Sequence, residues 1–285
     1  MKLLVTGARG LLGTEVARAA ERRALQVTAL GRDRLDVTDP DAVRRAVDAV
    51  RPDAIVHCAA FTAVDRAEAE ASRAMAVNRE GTAHAARAAR EVGARFVYVS
   101  SDYVFDGALE RPYRPDDPAA PLSSYGRSKL AGEHAAHEAC DAALIARTSW
   151  LFGHARRSFV TAMIDRARAG ERLRVVDDQR GGPSFASDVA VALLELVERN
   201  AAGVWHVANR GVCTWAELAR EALRLSGLEP MVDGVASAEW AAPARRPPYS
   251  VLDVRATEEM IGRPMPHGRE ALARFLEERR ARGDE

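Results

Sequence analysis

Residues 5–13 read VTGARGLLG: three glycines spaced three apart, directly after a short apolar run and directly before a helix-forming stretch. A chain that passes so tightly from strand to helix at its start is confined to few architectures. The spacing GxxGxxG is one residue wider than the usual dinucleotide fingerprint, but its physical reading is similar. Gly7 makes the tight turn, Gly10 lets backbone approach a pyrophosphate, and Gly13 packs the helix close to the strand. Leu11 and Leu12 then open a helix whose N-terminus receives phosphate charge. A plain tight connection is the competing reading.

The runs KLLVT (2–6), QVTAL (26–30), AIVHCAA (54–60), RFVYVS (95–100) and ALIART (143–148) are almost continuously apolar, which suits parallel strands covered on both faces. Helix-like stretches near 11–23, 40–50, 72–92 and 124–140 separate them. The alternation predicts an α/β chain with a Rossmann-type, doubly wound parallel sheet. Beyond residue 150 proline and glycine become frequent, as in QRGGPS (179–184), APARRPPYS (242–250) and GRPMPHG (262–268), between helical segments near 158–169, 187–199, 215–226 and 269–282. The expected division is an NADP-binding Rossmann domain over 1–152, with 186–208 returning to it. Residues 153–185 and 209–285 form a smaller C-terminal substrate-binding lobe.

With 285 residues, 47% of them hydrophobic, the chain suffices for one large domain or two interleaved ones. Its formal net charge of zero and lack of like-charge blocks argue against a nucleic-acid partner. Cys58, Cys140 and Cys213 form no CxxC pair and read as free thiols in a reducing compartment. The apolar run after Met1 is too short for a signal peptide or a membrane span, so a cytoplasmic protein without a membrane partner is expected.

Where the second strand ends, an acidic residue would hold a ribose 2′-hydroxyl. Gly31 and Arg32 stand there instead, and an arginine fork suits a 2′-phosphate. With Asp33 beside it, the reading favours NADPH and keeps NADH as the alternative. In RLDVTD, Asp36 and Val37 are candidates for an adenine pocket; Asp36 reads equally as the cap of the next helix.

The chain has only two lysines, Lys2 and Lys129, and Lys129 lies four residues after Tyr125 in a helical stretch. That spacing places both side chains on one face. A nearby ammonium is expected to stabilise the phenolate and lower the pKa of Tyr125. The tyrosine can then exchange a proton with a carbonyl or alcohol oxygen. The compact ammonium can also reach a nicotinamide ribose, for which a guanidinium is poorly shaped. Ser101, at the end of the VYVSS strand, offers a hydroxyl to hold a substrate carbonyl near Tyr125.

Through VTGARGLLG, LDVTD, AIVHCAAFTAVDRAE, VYVSSDYVFDG, SYGRSKLAGE, RTSWLFG, VVDDQRGGPSFASDVA, GVWHVAN and RRPPYSVLD the chain resembles the extended short-chain dehydrogenase/reductases, and within them the dTDP-4-dehydrorhamnose reductases. The resemblance implies reduction of the C4 ketone of a dTDP-linked 4-keto-6-deoxy sugar by NADPH or NADH. The product would be dTDP-L-rhamnose, for cell-surface polysaccharide. Ser101, Tyr125 and Lys129 match the catalytic triad; the family often has threonine at the serine position.

By the same resemblance Ala59 and Ala60 pass the cofactor, and Thr62, Val64 and Asp65 match a substrate-side loop. Asp102, Tyr103 and Val104 lie on the sugar side, and Trp150 against the nucleotide or in the core. Asn78 supports the helix behind the triad, while Arg180, Arg245 and Arg246 are candidates for phosphate contact or plain surface positions. Some members dimerise through a carboxylate-bound magnesium ion. Glu15 stands at a matching position but has no identifiable partners, so no metal site is expected and a homodimer stays a candidate assembly. The alternatives are a related nucleotide-sugar reductase or epimerase, and a non-catalytic regulatory subunit of the same fold.

Overall fold

The computed structural model describes residues 1–283; residues 284 and 285, the end of the expected C-terminal lobe, lie outside the described residues. In chain order its first elements are β1 (Lys2–Thr6), α1 (Leu11–Arg22), β2 (Gln26–Leu30), α2 (Pro40–Val50), β3 (Ala54–His57), α3 (Val64–Ala69) and α4 (Ala71–Met75). A π turn over Ala76–Glu80 leads into α5 (Gly81–Glu91), β4 (Arg95–Ser101), α6 (Ser124–Ala139), β5 (Leu144–Thr148) and β6 (Leu151–Phe152). Then follow α7 (Phe159–Arg168), β7 (Leu173–Val176), β8 (Arg180–Gly181), β9 (Ser184–Phe185), α8 (Ala186–Glu198), β10 (Gly203–His206) and β11 (Cys213–Thr214). The chain closes with α9 (Trp215–Leu225), β12 (Val232–Val235), α10 (Arg255–Ile261) and α11 (Gly268–Ala281).

The central sheet has the order β10-β5-β4-β3-β1-β2 and is parallel throughout. Period-two alternation sends its side chains to two separate cores. Leu3, Val5, Val56 and Val97 pack under α1 and α8, whereas Leu4, Ile55, Phe96 and Ile145 pack under α2, α5 and α6. Leu3, Leu4, Val5 and Ile55 are completely buried, each worth about 1.5–3 kcal/mol of transfer free energy. A third core, around Phe152, Ile164, Phe185, Leu223 and Phe275, belongs to the C-terminal elements, where β7 and β12 pair in parallel. Among the described residues no helix is long and apolar enough to cross a membrane.

Two local differences from the sequence-based expectation shape the cleft. The strand predicted over 54–60 ends at His57, and Cys58–Phe61 leave the ladder to line the cleft. The helix predicted over 72–92 is interrupted by the π turn. There Asn78 is fully buried; it accepts from the Phe61 amide at 2.7 Å and donates to the Ser128 hydroxyl at 2.8 Å. A π turn re-aims a side chain in this way at the cost of helix regularity.

Candidate active site

The strand order reverses between β1 and β3, and the crevice beyond their carboxyl ends is where an open α/β sheet binds ligands. A cavity of about 1140 Å³ opens there, lined at one end by Gly7, Gly10, Leu11, Leu12 and Gly13. Gly7 has φ +63°, and a Cβ on it would sit 2.5 Å from the Ala59 nitrogen. A Cβ on Gly13 would collide with the Gly7 carbonyl. Gly10 caps α1 without a side-chain hydrogen bond, so the first amides of that helix have no capping acceptor. This cradle, which any larger residue would fill, fits the pyrophosphate of a dinucleotide.

Arg32, Asp36 and Val37 line the same end. Asp36 accepts from the Thr38 amide at 3.0 Å and hydroxyl at 2.7 Å, and those bonds hold its carboxyl below the usual range. The cap of α2 is Asp39, which accepts from the Asp41 and Ala42 amides. Ala59 and Ala60 run along the floor towards Ser101, Tyr125 and Lys129.

The trio meets because α6 lies unusually close to β4. A Cβ on Gly126 would strike the Tyr103 carbonyl, and one on Gly132 would strike the Tyr98 hydroxyl and the Asn78 carbonyl. Ser123 caps the helix by accepting from the Gly126 amide at 3.1 Å. Ser101 lines the cavity with Tyr125 and donates to Asp102 at 3.0 Å. Lys129 is buried, donates to the Val99 carbonyl at 2.7 Å and sits 4.2 Å from the centre of the Tyr98 ring.

The electrostatics correct the sequence-based picture. Tyr125 borders the cavity but is enclosed elsewhere, and burial pushes its hydroxyl up to about 12. Burial pulls Lys129 down to about 7, opposed by the charge of Glu133 and by Cys58. Desolvation of both groups at the closed end of the cleft outweighs the expected lowering of the phenol by the ammonium.

Of the residues expected on the substrate side, Thr62, Val64, Asp102 and Trp150 line the cavity. Burial raises the Asp102 carboxyl to about 7, although Ser250 donates to it at 2.6 Å. Asp65 turns away from the cavity into a two-pronged pair with Arg246, at 2.8 and 3.0 Å. Tyr103 lies edge-on to the Tyr125 ring, centroids 5.9 Å apart, rather than in the cavity wall. Val104 is another correction: the 3-10 turn over Asp102–Val104 points it into the core, where it is completely buried.

Trp150 has φ +44° and lies flat on Trp215, with ring centroids 3.5 Å apart. A Cβ on Gly181 would run into the Trp150 ring, which accounts for a glycine in that loop. Arg180 and Arg245 are exposed and outside the cavity lining. Trp215, Arg73, Arg156 and Arg157 do line it, without any local motif that singles them out. Glu15 is buried and paired with Arg18 at 2.9 Å, and among the described residues no group of three His, Cys, Asp or Glu is placed to hold a metal.

The family described as RmlD substrate binding domain matches residues 1–281. The chain is 46% identical over 276 residues to the dTDP-4-dehydrorhamnose reductase of Streptomyces griseus, covering 94% of this chain and 91% of that protein. It is 43% identical over 257 residues to a probable dTDP-4,6-dihydroxy-2-methyloxan-3-one 4-ketoreductase of Streptomyces antibioticus, covering 88% and 86%. Among solved structures, the dTDP-4-dehydrorhamnose reductase of Bacillus anthracis in complex with NADP superposes with a TM-score of 0.94 at 35% identity, covering 97% of this chain and 99% of that one.

Proposed function

The chain belongs to the dTDP-4-dehydrorhamnose reductase family, and from that premise we propose that it reduces the C4 ketone of dTDP-4-dehydro-L-rhamnose to dTDP-L-rhamnose with NADPH. The product serves nucleotide-sugar and cell-surface polysaccharide synthesis. One observation carries the reading: a glycine cradle and a Ser101–Tyr125–Lys129 trio line one and the same cavity.

NADPH, when bound, supplies the hydride. Gly7, Gly10, Leu11, Leu12 and Gly13 hold its pyrophosphate, Arg32 its 2′-phosphate, and Asp36 and Val37 its adenosine. Lys129 and Tyr125 face its nicotinamide ribose, with Ala59 and Ala60 alongside. Ser101 donates to the ketone oxygen and holds it near Tyr125. A phenol whose pKa stands near 12 carries its proton at neutral pH, which is the form a reduction needs. Tyr125 gives that proton to the oxygen as negative charge develops there, and a charged Lys129 stabilises the tyrosinate left behind. Thr62, Val64, Asp102 and Trp150 shape the sugar side, and the C-terminal lobe over 153–185 and 209–285 receives the nucleotide.

The test supplies dTDP-4-dehydro-L-rhamnose with NADPH and, separately, NADH, and follows the absorbance of the reduced cofactor. No consumption with either overturns the proposal. Tyr125→Phe should abolish turnover while cofactor still binds, which separates an enzyme from a scaffold of the same fold. The relative from Streptomyces antibioticus favours a second reading, a 4-ketoreductase for a differently substituted dTDP-keto sugar. Consumption with such a sugar and none with the rhamnose precursor would select it.

A further inference from the structure

We infer that Glu133 is a positioning residue for the proton-transfer pair: anchored by Ser100 and Arg147, it holds a negative charge beneath Lys129 and keeps that lysine an ammonium. The inference rests on the proposed reductase reading for its consequence in turnover, but its geometry stands independently.

Lys129 and Glu133 are one turn apart on α6, and both are buried. Glu133 uses its hydrogen bonds elsewhere: Ser100 donates to it at 2.5 Å, and Arg147 donates at 2.9 Å from Nε and 2.7 Å from Nη2. Ser100 and Arg147 are themselves register partners on β4 and β5. Arg147 is fixed further by the Pro115 carbonyl at 3.2 Å and the Phe105 ring, 5.0 Å from its centre. The three consecutive residues of β4 therefore divide the work. The Val99 carbonyl accepts a hydrogen bond from Lys129, Ser100 holds Glu133, and Ser101 faces the cavity.

The other groups facing Lys129 supply no comparable charge. From α6 comes Tyr125, raised to about 12. From β4 comes Tyr98, whose hydroxyl burial raises well above its ordinary value. From the end of β3 come His57, pulled down to about 3, and Cys58, pushed up to about 12. All four are neutral near pH 7, which leaves the Glu133 carboxylate, held in its two-pronged pair with Arg147, as the negative group in this set. Without it, burial alone would favour the uncharged amine. An ion pair placed under a catalytic lysine is also a costly arrangement if it served stability only, because apolar side chains of similar volume would do as well.

The chain's two lysines make the test direct, since isotope-labelled lysine yields two side-chain NMR signals and Lys129→Arg identifies one of them. The titration midpoint of Lys129 should fall by about one unit or more in Glu133→Gln, which keeps the shape and an acceptor for Ser100. It should rise in Arg147→Gln, where the field of Glu133 is no longer partly cancelled. The alkaline limb of kcat/KM should move with each midpoint. If Glu133→Gln does not fold, Glu133→Leu combined with Arg147→Leu removes the carboxylate without stranding a charge, and the midpoint should still fall. An unmoved midpoint in a folded variant, or equal shifts in the two single variants, overturns the inference. Failure of the reductase reading would appear separately, as a wild-type protein with these titrations and no turnover.

Discussion

Lys129 hangs its ammonium on the carbonyl of Val99 at 2.7 Å, in a slot closed on one side by the ring of Tyr98. The slot admits three tetrahedral donors on a narrow stem. A planar guanidinium is wider and cannot keep the same bond while facing the cavity. Lys129→Arg, which preserves charge, should therefore lower kcat by about 100-fold or more, the scale of losing one proton-transfer partner. Steady-state kinetics at saturating cofactor measure it, and near-normal turnover would show that charge alone suffices.

Gly132 sits where α6 presses on β4. An added methyl would collide with the Tyr98 hydroxyl and the Asn78 carbonyl, both held by their own packing. Gly132→Ala should destabilise the fold by about 1–3 kcal/mol. Denaturant unfolding followed by far-UV dichroism reads that loss. It should lower activity as well, because the same displacement moves Lys129.

The sheet is legible in the sequence because buried parallel strands are written as unbroken apolar runs. KLLVT and QVTAL coincide with β1 and β2 for that reason. The juxtaposition of Tyr125 and Lys129 is equally local, since a spacing of four on a helix puts both on one face. Their titration is not local: it depends on how much water the whole fold excludes, so the expected lowering of the phenol gave way to burial. Val104 was misplaced because a single 3-10 turn decides whether it faces cavity or core. Trp215 escaped notice because the C-terminal lobe carries it to Trp150 from far along the chain, and TWAEL announces only a capped helix. Asp65 was read as a sugar-side residue because its partner Arg246 lies in the distant ARRPPYS loop.

Arg32 lies at the cavity end that also carries Asp36 and Val37, while the neighbouring Asp33 is paired with Arg9 at 2.9 Å. With Asp33 so engaged, Arg32 is the proposed partner of a 2′-phosphate. Arg32→Ala should raise KM for NADPH by about tenfold, the scale of one charge-assisted hydrogen bond, and leave KM for NADH nearly unchanged. Equal effects on the two cofactors would remove Arg32 from the selection.

His206 and His57 set the response to acid. Both are buried and pulled down to about 3 by desolvation. Each binds a proton readily in the unfolded chain below its ordinary value of 6.5 and resists it in the native state. The unfolded state then holds more protons, so stability falls as pH drops from about 6.5 towards 3, by about 1.4 kcal/mol per unit for each group. Asp102 acts in the opposite sense between its ordinary 3.8 and about 7, where the native state holds the extra proton and stability falls as pH rises. The wild-type curve mixes these trends, so a difference between variants is the cleaner readout. Neither ring nitrogen of His206 has a hydrogen-bond partner among the described residues, which makes an apolar replacement tolerable there. His206→Leu should match or slightly trail wild type at pH 7 and gain on it steadily below pH 6. Denaturant unfolding at a series of pH values measures the gain, and a constant offset between the two proteins would exclude His206 as an acid-sensitive group.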